Sequence, residues 1–179
     1  MQLLPQEHGF DQPLGLLSDC HRRVERFLKI LEIVGQEAPE KSLSSPYDKE
    51  LQNALNYFRD AAPKHTQDEE ESLFPRISHH QQASAIIDRL EKEHALSDPL
   101  HAEVEVLGRR WHTQGHLDAS ERARFRECVD LLLNLYREHI RIEDEELFPL
   151  AASLLDAPTL ETIGKEMAAR RNLQGVQKI

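Results

Sequence analysis

Cysteine is scarce in this chain. Cys20 and Cys128 stand far apart, which excludes a disulfide framework and a thiolate metal site. Long apolar runs are also missing, and none approaches the roughly 18 to 20 residues that a membrane span needs. The opening residues, MQLLPQEHGFDQP, have neither a basic start nor an apolar centre, so no secretory signal is expected. A reduced, cytoplasmic setting follows as the default. The sequence has no glycine-rich phosphate loop, no β-hairpin signal and no Ser-His-Asp arrangement supported by spacing. Positive charge is the minority sign: 22 Lys and Arg face 32 Asp and Glu, a net charge of −10. That balance argues against nucleic acid or an anionic membrane as partner.

What the chain has instead is ten histidines in 179 residues and a repeat. Residues His65 to Pro75 read HTQDEEESLFP, and residues His139 to Pro149 read HIRIEDEELFP. They align without a gap as H-x3-E-x-E-x-L-F-P. On a helix, residues four apart lie on one face, so each copy aims one imidazole and one carboxylate at the same spot. Two such helices can assemble a metal site inside a bundle.

The remaining sequence reads as helices around that repeat. A first helix is expected from Pro13, capped by Asp11 or Gln12, to about Gly35, with His21 on its apolar stripe beside Leu17, Val24 and Leu28. A Pro- and Ser-rich loop, residues 37–46, leads to a second helix opened by Ser45 and Pro46. Its face, Leu51, Leu55, Phe58 and Ala62, runs down to His65 and Glu69, with a bend expected at Pro63. Leu73-Phe74-Pro75 is expected to end it, the Leu and Phe plugging the core. The third helix, about Ala83 to Trp111, carries His94 inward and meets a break or kink at Asp98-Pro99. His112 to His116 reads as a loop. Ser120 with Glu121 opens the fourth helix, whose stripe includes Phe125, Cys128, Leu132, His139, Glu143 and Leu147, and Asp156-Ala-Pro158 opens a short fifth. His8, His79, His80, His112 and His116 read as exposed. The expected fold is all-α: an up-down-up-down four-helix bundle over 13–155, after an N-terminal arm 1–12 and before a C-terminal helix and tail 156–179.

His21, His65, His94 and His139 thus fall one to a helix, with 74 residues between the second and fourth and 73 between the first and third. Four imidazoles with Glu69 and Glu143 suit two metal ions, each held by two histidines with the carboxylates shared. Nitrogen and carboxylate donors without thiolate favour iron or manganese, and also accept zinc. Six donors cannot saturate two six-coordinate ions, so bridging oxygen and open positions are expected, where a small molecule would bind.

Over about residues 10–155 the chain resembles the hemerythrin-like, or HHE cation-binding, family of four-helix bundles with a non-haem di-iron site. Its tail segment IGKEMAARRN resembles the C-terminal helix of bacterial single-domain members. The resemblance implies His21, His65, His94 and His139 as imidazole ligands and Glu69 and Glu143 as bridging carboxylates to two iron ions joined by an oxo or hydroxo bridge. A ferritin-like reading would need recurring Glu-x-x-His pairs, which are not found. Oxygen-carrying members add a histidine four residues after the third-helix ligand, where this chain has Asp98. That departure points to the four-histidine subgroup, with His101 as a substitute if the backbone allows. Glu25 and Asp98, each four residues after a ligand histidine, are expected beside the ligands rather than on the metal. Glu70, Glu71, Asp144, Glu145 and Glu146 are expected on a solvated face.

The leading functional expectation is a binding protein that takes O2, NO or a related small oxidant for sensing, scavenging or stress protection. A second is redox catalysis with a partner protein, or iron donation for repair of damaged iron–sulfur centres. Repair-type relatives often carry an N-terminal Cys-bearing segment that this sequence does not show. Iron storage or buffering is a third reading, and a metal-free interaction bundle the bland one. No transducing or DNA-binding domain is read in the sequence, so a signalling role needs a partner.

Overall fold

A computed structural model of the chain describes residues 8–38 and 42–172. Most of the expected arm, part of the expected 37–46 loop and the last residues of the expected tail lie outside the described residues. The described chain is helical, with no strand among the described residues. Helix α1 spans Pro13–Glu37 and α2 spans Ser45–Asp60. Helix α3, Ala62–Gln67, passes into a π-helical turn, Asp68–Leu73, and then α4, Phe74–Ile77. Helix α5 covers Gln81–Gln114 and α6 covers Ala119–Ile142. A second π-helical turn, Glu143–Leu147, leads into α7, Phe148–Leu154, and α8, Ala157–Arg170, follows. None of these helices is long and apolar enough to cross a membrane.

Several boundaries differ from expectation for local reasons. Ser44, not Ser45, is the cap of α2, and its side chain makes no capping bond. Asp118, not Ser120, caps α6 in a reciprocal capping box with Glu121. The 112–114 segment is helical because α5 runs on until Gly115, whose φ of 74° ends it in the left-handed conformation. Pro99 neither stops nor restarts α5. Pro99 and Ala95 are both exposed, so the carbonyl that loses its amide partner lies on the solvent-facing side of the helix. Pro63 does break the second helix, and it sits in the first turn of α3, where a missing N–H is harmless.

Helix α1 packs on α2 and α6, and α5 packs on the same two helices. The apolar side chains inside this ring fall into two clusters. One holds Leu28, Leu31, Leu51, Leu55, Trp111, Phe125 and Leu132. The other holds Leu17, Leu73, Phe74, Leu90, Leu147, Phe148, Ile163 and Met167. Between them in sequence, on α1, α3, α5 and α6, lies a buried histidine.

Helix α8 covers the second cluster through Ile163 and Met167, and Gly164 lets residues of the arm lie directly on it. A Cβ at Gly164 would stand 1.8 Å from the Phe10 carbonyl oxygen, a contact that backbone must move to relieve. Gly164→Ala is expected to cost about 1–3 kcal/mol, the usual range for overpacking, read as a lower midpoint in urea unfolding. An unchanged midpoint would mean the arm is not seated there.

Candidate metal centre

The six side chains singled out by the repeat and the stripes meet between the two apolar clusters. His21, His65, Glu69 and Glu143 offer donor atoms within 4.8 Å of one another, as do His94, His139 and Glu143. All six residues are buried. Oε2 of Glu143 lies 3.0 Å from Nε2 of His21 and 3.2 Å from Nε2 of His139. The oxygens of Glu69 divide similarly: Oε1 is 3.2 Å from Nε2 of His65, and Oε2 is 3.6 Å from Nε2 of His94. Each carboxylate thus reaches both histidine pairs. His94 and His139 point Nε2 at each other across 3.1 Å.

The π-helical turns explain how every fourth residue stays on one line. An α-helix has 3.6 residues per turn, so a strict spacing of four drifts around the axis. In both copies the amide five residues after the glutamate donates to the glutamate carbonyl: Phe74 to Glu69, and Phe148 to Glu143. This wider turn cancels the drift, and His65, Glu69 and Leu73 are all buried, as are His139, Glu143 and Leu147. Pro75 and Pro149 follow at the point where the ladder returns to α-helix. Helix α4 runs two residues past Pro75 before it ends, and Phe74 and Phe148 cover imidazoles of the other helices. Phe148 stacks on His21 at 5.4 Å between ring centres, and Phe74 lies parallel to His94 at 6.3 Å.

Around the cluster, carboxylates receive the outward ring nitrogens. Nδ1 of His21 is 3.0 Å from Asp144, Nδ1 of His94 is 2.8 Å from Glu70, and Nδ1 of His139 is 2.9 Å from Glu93. Glu70 is exposed, as expected of a solvated face, and Asp144 is half-buried, yet each carboxylate also bonds an imidazole. Each follows the glutamate of its repeat by one residue and reaches a histidine of a neighbouring helix. Glu71, Glu145 and Glu146 are exposed as expected. Glu25 and Asp98, expected beside the ligands, are exposed and belong to neither group. His101 joins neither group; its Nε2 is 3.1 Å from the Tyr136 hydroxyl.

Asp68, one residue before Glu69, gave no signal in the sequence. It is fully buried and takes Arg170 at 2.9 Å and Arg171 at 2.6 Å, while Arg170 also reaches Ser72 at 2.8 Å. The end of α8 is thereby fastened to the first π-helical turn. Asp68→Ala would remove the buried carboxylate that two guanidinium groups share, leaving Arg170 with Ser72 and Glu71 and Arg171 with the Met167 carbonyl. It is expected to cost about 2–3 kcal/mol, below the roughly 3–5 of a fully dry pair because both arginines keep some water. Thermal unfolding measures this, and a loss under about 0.5 kcal/mol would show the strap to be idle.

Burial pushes the Glu69 carboxyl up to about 8, with the charge of Glu143 adding to it. Burial acts on Glu143 in the same direction, but the His139 and His21 imidazoles close beside it outweigh it and hold the group well below the usual carboxylate range. His21 is opposed by burial yet raised by Asp144, Glu143 and Glu69, whereas burial and the neighbouring His21 hold His65 neutral. Two facing buried carboxylates cannot both stay charged without compensation, so one keeps a proton that a metal ion would displace.

The donors also fit a metal by what they leave unpaired. Both oxygens of Glu69, both of Glu143 and Nε2 of His21 find no well-aligned hydrogen-bond partner among the described residues. Such atoms cost about 1–3 kcal/mol each when left buried. Donors about 2 Å from one ion sit about 3 Å apart, which is the spacing found here. Beside His94 lies a cleft of about 200 Å³ lined by Phe58, Pro63, Thr66, Ser97, His101 and Tyr136. Burial drops the His101 imidazole to about 4, so it is neutral there.

Comparison with known proteins gives two findings. The family model described as the Hemerythrin HHE cation binding domain matches residues 12–151. A Haemophilus influenzae (strain ATCC 51907 / DSM 11121 / KW20 / Rd) protein, described as uncharacterized, is 30% identical over 182 residues, covering 97% of this chain and 99% of its own length.

Proposed function

The chain belongs to the hemerythrin HHE cation-binding family, and from that premise we propose that it holds two iron ions and binds O2, NO or a related small oxidant. The observation that carries this reading is the convergence of four imidazoles on two carboxylates whose buried oxygens have no other partner. His21 and His65 would hold one ion, His94 and His139 the other, and Glu69 and Glu143 would span both. We read the ring of α1, α2, α5 and α6 as an up-down-up-down bundle, supported by their order of packing. Cys20 and Cys128, both buried and unpaired, suit a reducing cytoplasm.

Two redox-active ions with open positions supply reversible binding of, and electron exchange with, a small oxidant. The chain's own contribution is to hold and shield. Leu73, Leu147, Phe74 and Phe148 close one side of the cluster against water. The cleft beside His94 admits only a small molecule, and the Tyr136 hydroxyl, hydrogen-bonded to neutral His101, stands ready there. Asp144, Glu70 and Glu93 fix three of the imidazole rings so that Nε2 faces the ions.

The test is spectroscopic. The iron-loaded protein is reduced under argon, and its optical spectrum is followed as O2 and then NO are admitted. Saturable new visible absorption with either gas supports the reading. No change with either removes it, and steady consumption of NO or peroxide in the presence of a reductant would replace it with an enzyme.

A further inference from the structure

The outer hydrogen bonds are not shared equally between the two halves of the cluster. Both rings of the His94–His139 pair give Nδ1 to a carboxylate, at 2.8 Å to Glu70 and 2.9 Å to Glu93. In the His21–His65 pair only His21 does so, at 3.0 Å to Asp144. Nδ1 of His65 is buried and has no partner among the described residues.

The cause is visible in the near-twofold pattern. Glu70 and Asp144 hold the same place in the two repeats, one residue after the shared glutamates. Glu93 stands one residue before His94 on α5. The residue in the matching place on α1, one before His21, is Cys20. Where one half of the molecule has a carboxylate, the other has a thiol, whose sulfur takes a bond from Arg23 at 3.1 Å. Glu93 itself is anchored by Arg89 at 2.7 Å.

We propose that the two metal positions are unequal, and that the Glu93/Cys20 difference makes them so: the His94–His139 position fills first and the His21–His65 position second. A carboxylate on the far nitrogen makes an imidazole a stronger donor and fixes its tautomer. Losing such a partner typically weakens metal binding by about 10- to 100-fold. The ion held by His65 lacks that support on one of its two rings, so it binds more weakly by about the same factor and exchanges faster. This inference rests on the dinuclear reading above and concerns only the order of filling. Glu93 acts through His139, as a positioning residue.

The experiment loads metal-free protein with one equivalent of manganese(II) and locates the ion in crystals by anomalous scattering. In parallel, isothermal titration resolves the two binding steps. The expected result is anomalous density concentrated at His94 and His139, and two affinities separated by about 10- to 100-fold. Glu93→Gln keeps a hydrogen-bond acceptor but removes its charge, and it should bring the two occupancies together. Cys20→Glu supplies the missing carboxylate and should raise the His21–His65 occupancy towards the other. Equal occupancy in the unaltered protein, or first filling at His21 and His65, overturns the proposal. So does a Glu93→Gln protein whose two steps remain as far apart as before, which covers the case in which the buried Cys20→Glu change fails to fold. Absence of manganese from both positions would instead bring down the dinuclear reading itself.

Discussion

Replacing Glu143 with glutamine is expected to lower the metal content of the purified protein from two ions per chain to fewer than one. Among the described residues, Glu143 belongs to both donor groups, with one oxygen near His21 and His139 alike. A neutral amide there removes the shared negative charge and turns a donor NH2 towards one of the ions. The loss at each position should exceed the about 10- to 100-fold that follows removal of even an indirect partner. Asp98→Asn is the control: this exposed carboxylate, in neither group, should leave the content unchanged. Elemental analysis of both variants decides the matter. Two full ions in the Glu143→Gln protein would take that carboxylate off the metals.

Withdrawing the ions from the unaltered protein should have the second large effect. A ligand present at 1,000 times its dissociation constant stabilises the folded state by about 4 kcal/mol. At the roughly 2–4 °C per kcal/mol usual for a chain of this size, chelation should lower the melting temperature by about 8–16 °C. The gap should widen with pH. In the metal-free state burial raises the Glu69 carboxyl from its ordinary 4.5 to about 8, so the folded chain holds a proton that the unfolded chain has released. Stability is therefore lost as pH climbs through that interval. His21 and His139 are raised above their ordinary 6.5 against the opposing effect of burial. Their contribution is complete below 6.5 and is likewise lost as pH rises through their folded values. Glu143 is held low, so its contribution persists above its ordinary value and disappears only in acid. The metal-loaded form behaves oppositely, because its donors bind only when deprotonated. Urea unfolding at pH 5.5 and pH 8, with and without chelator, measures all four stabilities. A metal-free protein that grows more stable across that range would contradict the assignment of a retained proton to the cluster.

The duplicated motif and the stripe histidines were legible because helical spacing is a local property: His65 with Glu69, and His139 with Glu143, need only a period near four. Their meeting with His21 and His94 followed from the matched intervals between helices. The π-helical turns were not foreseen, although the strict four-residue spacing of His65, Glu69 and Leu73 was their signal. Around those turns Glu70 and Asp144 keep contact with water, as a solvated face implies, while each also bonds an imidazole of a neighbouring helix. Glu93 and Asp68 were invisible for another reason. Their partners, His139 and the two arginines at the end of α8, are remote in sequence, and nothing in a local pattern announces them. Capping chemistry decided the helix starts: Asp118 prevailed over Ser120 because Glu121 could complete the reciprocal bond.

The apolar side chains gather at the two ends of the molecule, leaving charge and imidazole in the layer between. Water exclusion at one end therefore does little to steady the other. What joins them is the helical backbone and whatever sits on the carboxylates, so the ions would serve as rivets through the middle. Deuterium uptake should show it: with rivets in place the amides at both ends exchange in step, and without them each end breathes at its own rate.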